Sequence, residues 1–91
     1  PRGEPRAEPA ARPKRLSFKD KHALGSLPGQ IAGLQADIAR YQRVLTDPNL
    51  YAKDPQKFQQ TTQRLADAEQ AVAAAEEQWL TLEMLREELD A

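Results

Sequence analysis

Five basic side chains, Arg40, Arg43, Lys53, Lys57 and Arg64, cluster around a loop carrying Leu50, Tyr51 and, just beyond it, Phe58. Cations of this kind neutralise phosphates and release counterions, which gives salt-sensitive binding with no base sequence in it. The aromatic residues among them could stack on unpaired bases or pack on protein. The plain alternative is that the charges solvate an ordinary hairpin whose seam is closed by Leu50, Tyr51 and Phe58. Residues 38–64 hold those five cations against Asp47 and Asp54, a balance of +3, while residues 65–91 hold eight acids against Arg86, a balance of -7. A second basic run occupies residues 1–22, where seven Lys or Arg stand against three acids and Lys14, Arg15, Lys19 and Lys21 lie together. The net charge of -1 therefore conceals a basic end and an acidic end.

Other chemistry finds little support. His22 sits beside Lys19 and Lys21 with no partner for acid-base work and reads as a surface or phosphate-contacting residue. The acids Glu76, Glu77, Glu83, Glu87, Glu88 and Asp90 occur on an Ala- and Leu-rich run, the pattern of a solvated helix face rather than of paired catalytic carboxylates. With no cysteine and one histidine, a disulfide framework or a thiolate or imidazole zinc site cannot be assembled. No catalytic residue and no metal ligand is assigned.

The elements that position the basic residues follow from apolar spacing. Leu24, Leu27, Ile31, Leu34, Ile38, Tyr41 and Leu45 succeed one another at alternating steps of three and four, the seam of a helix wound about a partner. Phe58, Leu65, Val72 and Trp79 repeat every seven residues, with Thr61, Ala68, Ala75, Leu82 and Leu89 in the complementary positions. Two seams joined by a short loop imply an all-α, antiparallel two-stranded coiled-coil hairpin, with no interior for an active site. Ser17, with Asp20 three residues on, should cap the first helix, and Asp54 followed by Pro55 has the order of a helix start. Pro28, between Gly25 and Gly29, should break or kink the first arm at Ser26–Gly29. The expected helices are thus about 17–26, 28–46 and 55–89, with a tip loop at 47–54. The last would run roughly 50 Å, matching the first arm. The short helix bearing Phe18, Leu24 and Leu27 should cover Trp79, Leu80, Leu82, Met84, Leu85 and Leu89, making a three-helix base.

At 91 residues with 40% apolar content and seven prolines, the chain has room for one small domain, expected over 16–91. Prolines 1, 5, 9 and 13 and a lack of apolar residues beyond alanine make 1–15 a disordered, basic linker, of the kind that joins a C-terminal module to a larger protein. No apolar run approaches the roughly 20 residues of a membrane span, and no signal peptide is recognisable, so a cytoplasmic location without membrane contact is expected.

Punctuating motifs carry a family resemblance. The start Arg15-Leu16-Ser17-Phe18, Leu27-Pro28, the tip signature Asp47-Pro48, Leu50-Tyr51, Asp54-Pro55 and Phe58, and the Trp79-Leu80-x-Leu82-Glu83 run occur in order over residues 15–89. This arrangement resembles the C-terminal domain of Uup-type ATPases, members of the F subfamily of ATP-binding cassette proteins (ABC-F). The resemblance implies a parent with two ATP-binding cassettes, using ATP and Mg, that acts on ribosomes or in nucleic-acid transactions, and a C-terminal domain that binds DNA. The chain itself has no G-x-x-x-x-G-K-S/T phosphate loop, so it should hold no cofactor and be inert as an enzyme. The expected partners are DNA or structured RNA, through the nine basic residues named above. Docking of a monomeric arm on the parent's cassettes or on the ribosome is the alternative. The C-terminal arm of a valyl-tRNA synthetase is similar in outline, but the Trp-Leu-x-Leu-Glu end and the proline-rich basic lead-in argue against it.

Overall fold

A computed structural model describes residues 15–90, in which the chain forms α1 (Phe18–Leu45), α2 (Leu50–Lys53) and α3 (Pro55–Asp90). The expected linker, Arg15 apart, lies outside the described residues. Ser17 holds extended backbone, and its Oγ accepts the Asp20 N–H at 3.0 Å, satisfying one of the free donors of the first turn of α1. At the other end Thr46 donates both its backbone N–H (3.2 Å) and its Oγ1 hydroxyl (2.6 Å) to the Arg43 carbonyl.

The chain reverses within a few residues. Asp47 Oδ1 accepts the Asn49 N–H at 2.9 Å, an Asx turn spanning Pro48, and the single turn of α2 follows. Asp54 closes α2 by donating its N–H to the Leu50 carbonyl at 2.8 Å. It also opens α3, where its Oδ1 accepts the Lys57 N–H at 3.0 Å with Pro55 at the first helical position. At 36 residues, α3 is about 54 Å long and packs antiparallel along α1.

Both expected seams form. Each of the sixteen positions named for them, from Leu24 to Leu45 and from Phe58 to Leu89, is buried or half-buried. Leu27 is the most enclosed, at 3% exposure. Alanine and threonine at Ala68, Ala75 and Thr61 let the helix axes approach where larger side chains would hold them apart.

Two expectations need correction. The break at Ser26–Gly29 does not occur, because α1 is one 28-residue helix with Pro28 inside it. Proline removes only its own N–H bond to the Leu24 carbonyl, and Pro28 stands on the exposed side, while the half-buried Leu24 and Ile31 and the buried Leu27 keep the seam continuous. In consequence the three-helix base does not form either, since no separate short helix exists to fold over α3. Phe18 is 85% exposed, and Leu80 and Met84, one turn apart on α3, are 55% and 59% exposed. Leu16, just before the cap, is buried instead. Among the described residues no helix is long and apolar enough to cross a membrane.

Candidate nucleic-acid interface

The tip residues fall on three surfaces. Arg40 and Arg43, three apart near the end of α1, turn away from the seam of Ile38, Tyr41 and Leu45 and are exposed. They differ in their surroundings. The Arg40 guanidinium is 3.1 Å from the Asp37 carboxylate and 5.4 Å from the centre of the Tyr41 ring. Arg43 lies in the last turn of α1, where the negative end of the helix dipole favours a cation.

On α3, Lys57 and Arg64 are two turns apart and share one flank of the helix. With Asp54, Gln56, Gln60 and Thr61 they line an open groove of about 460 Å³. The groove thus offers two cations and the amide groups of two glutamines, donors suited to phosphate oxygens. Asp54 is the one acid beside them, and its carboxylate accepts the Lys57 backbone N–H. Lys53, at the end of α2, is exposed and lines neither surface.

The apolar trio at the tip divides. Leu50 is buried at 7% exposure and closes the seam, whereas Tyr51 is 61% exposed. The Tyr51 ring contacts the half-buried Phe58 in a T-shaped arrangement, with centroids 5.3 Å apart and planes at 69°. Such edge contacts are favoured by the ring quadrupoles and hold a ring in place.

At the base, Arg15 and Lys21 line a cavity of about 380 Å³ together with Leu16, Leu24, Arg86, Leu89 and Asp90. Lys19 is exposed but does not line it, and Lys14 lies outside the described residues. Arg86 is absent from the residues picked out by sequence, because it stands alone in an acidic run. Its Nε donates to Glu83 at 2.8 Å and its Nη1 lies 3.6 Å from Asp90. The hydrogen bond and charge of Glu83 push the Arg86 pKa upward. Spacings of three and four on a helix are the signal that could have indicated this pairing.

The remaining candidates are mostly exposed. His22 is exposed, as are Glu76, Glu77, Glu87, Glu88 and Asp90, and Glu83 is half-buried against Arg86. Among the described residues no set of three or more His, Cys, Asp or Glu could hold a metal ion. What the tip can do is present separated cations, the exposed Tyr51 ring and a narrow end to a polyanion.

No curated protein and no solved structure matches the chain. The family model described as ABC transporter C-terminal domain matches residues 15–84, which takes in α1, α2 and most of α3. The chain therefore belongs to the ABC transporter C-terminal domain family.

Proposed function

We propose that this domain is a nucleic-acid-binding accessory module that grips phosphates at its hairpin tip without reading sequence, and that DNA is its ligand. The observation that carries the reading is the groove joining Lys57 and Arg64 at the same end of the rod as the outward-facing Arg40 and Arg43. Lys53 extends the basic surface, and Arg15, Lys19 and Lys21, with Lys14 before them, supply a second contact near the base. Because every one of these groups is a charged donor for phosphate, affinity should be electrostatic and insensitive to base sequence. The ordered motifs from Arg15 to Glu83 favour the Uup type of ABC-F ATPase as the parent. On that reading ATP and Mg are handled by the parent's cassettes, since this chain lacks a phosphate loop.

The test is a titration of labelled branched DNA, linear duplex and structured RNA against the wild-type chain. Alongside it runs a variant with Arg40, Arg43, Lys53, Lys57 and Arg64 changed to Gln. Binding that the variant loses supports the reading, and the ligand bound most tightly identifies the natural class.

A second reading is favoured by the exposed Leu80 and Met84, flanked on the helix surface by Glu76, Glu77, Glu83 and Glu87. An apolar strip with an acidic border suits a protein surface with a basic rim, on the parent's cassettes or on the ribosome. No nucleic-acid binding, together with salt-tolerant protein binding, would favour this docking arm.

A further inference from the structure

We infer that Tyr51 is a stacking platform for an unpaired base, so that the tip prefers single-stranded or gapped nucleic acid to an intact duplex. This rests on the nucleic-acid reading above and adds to it the structural class of the ligand. Four observations converge. Tyr51 is 61% exposed although it directly follows Leu50, which is buried and seats α2 on α3. The two residues therefore divide the work, Leu50 closing the seam and Tyr51 facing outward. Second, Phe58 holds the Tyr51 ring by a T-shaped contact at 5.3 Å. Such a contact covers at most one face of a ring, which leaves Tyr51 a face open to a base.

Third, the segment that carries Tyr51 is already ordered by short hydrogen bonds. Asn49 N–H donates to Asp47 Oδ1 at 2.9 Å, Lys53 N–H to the Asn49 carbonyl at 2.9 Å, and Asp54 N–H to the Leu50 carbonyl at 2.8 Å. Little ordering remains to be done when a base arrives, so more of the stacking energy is realised as affinity. Fourth, exposed cations at the same end of the rod, Arg43, Lys53 and Lys57 among them, supply donors for the phosphates of a strand whose base stacks there. A paired duplex keeps its base faces stacked on one another and offers the ring nothing but backbone, whereas an unpaired base presents its face freely. Hence the preference.

The experiment is fluorescence anisotropy with two end-labelled DNAs of equal length, a single strand and its fully paired duplex. Four chains are compared: wild type, Tyr51→Ala, Tyr51→Leu and Tyr51→Phe, each checked for helical content by circular dichroism. Stacking on an aromatic side chain is worth enough that Tyr51→Ala should weaken single-strand binding by between about 5-fold and about 150-fold. Duplex binding should change less than about two-fold, because phosphate contacts are retained. Tyr51→Phe should restore the preference. Tyr51→Leu, which still covers Phe58 but has no π face, should behave like Tyr51→Ala. The inference is overturned if Tyr51→Leu binds the single strand as wild type does, or if Tyr51→Ala weakens both DNAs equally or neither. A charge variant, Lys57→Gln with Arg64→Gln, separates the two levels. If it lowers binding to both DNAs while Tyr51→Ala changes nothing, only the stacking role fails. If it changes nothing on either DNA, the nucleic-acid reading fails and this inference with it.

Discussion

The guanidinium of Arg40 lies 3.1 Å from the carboxylate of Asp37, one turn earlier on α1, whereas Arg43, one turn later, occupies the helix end itself. An arriving phosphate must compete with Asp37 for Arg40, whereas among the described residues no carboxylate pairs with Arg43, which offsets the opposition of the negative helix end to an anion there. Exposed ion pairs are worth no more than about 1 kcal/mol, so the competition is modest and measurable. Arg43→Gln is therefore expected to weaken DNA binding more than Arg40→Gln does at the same low salt. Asp37→Asn should strengthen it. Equal losses for the two arginines, with no gain from Asp37→Asn, would show that the pair does not compete with phosphate.

Asp54 has two opposed effects at the tip. Its Oδ1 caps α3 through the Lys57 N–H, and its charge lies in the groove beside Lys57 and Arg64. Removing the cap with Asp54→Ala should lower stability by about 0.5–2 kcal/mol. Asp54→Asn can keep the cap while removing the charge, so stability should hold near wild type as DNA affinity rises. Urea unfolding and anisotropy on the same two variants separate the effects, and a fall in affinity for Asp54→Asn would mean that the carboxylate assists binding.

Continuity of α1 makes a prediction at its least helical stretch. A Cβ built on Gly25, Gly29 or Gly33 meets nothing within 4 Å, so alanine at each should stabilise the chain by roughly 0.5–1 kcal/mol. Pro28→Ala restores a backbone donor toward the Leu24 carbonyl and should add up to about 3 kcal/mol. Thermal unfolding checks these four substitutions. A lowered midpoint for Pro28→Ala would argue that Pro28 supports the local backbone instead of opposing a continuous helix.

Leu27 and Leu80 test the shape of the base. With Leu27 at 3% exposure, truncation to alanine is expected to cost about 2–5 kcal/mol. Leu80→Ala and Met84→Ala, on the open face of α3, should stay within about 0.5 kcal/mol of wild type. A large loss at Leu80 would reinstate a covering layer over that face.

Much of this architecture is legible before any coordinates. Alternating steps of three and four from Leu24 to Leu45 mark the buried face, and Asp54-Pro55 marks a helix start, because both signals are local and each has one stereochemical reading. Pro28 is misread for a physical reason: its cost is local, whereas the packing that outweighs it runs the length of α1 against α3. Exposure of Phe18, Leu80 and Met84 follows from that same misreading, since apolar type alone does not say which element arrives to cover a side chain. At the tip, charge locates the five cations, but only the fold pairs Lys57 with Arg64, ties Arg40 to Asp37 and divides Leu50 from Tyr51. Arg86 could be paired with Glu83 and Asp90 from their spacing on one helix, but its place in the base cavity is hidden because that depends on where α3 meets the start of α1.

The most direct test of the central claim is the salt dependence of DNA affinity for the wild-type chain and for single Lys57→Gln and Arg64→Gln variants. With about five to nine phosphate contacts, log affinity against log salt concentration should fall with a slope near minus five to minus eight, and each variant should reduce its steepness by roughly one. A shallow slope that neither substitution alters would contradict a phosphate-gripping tip.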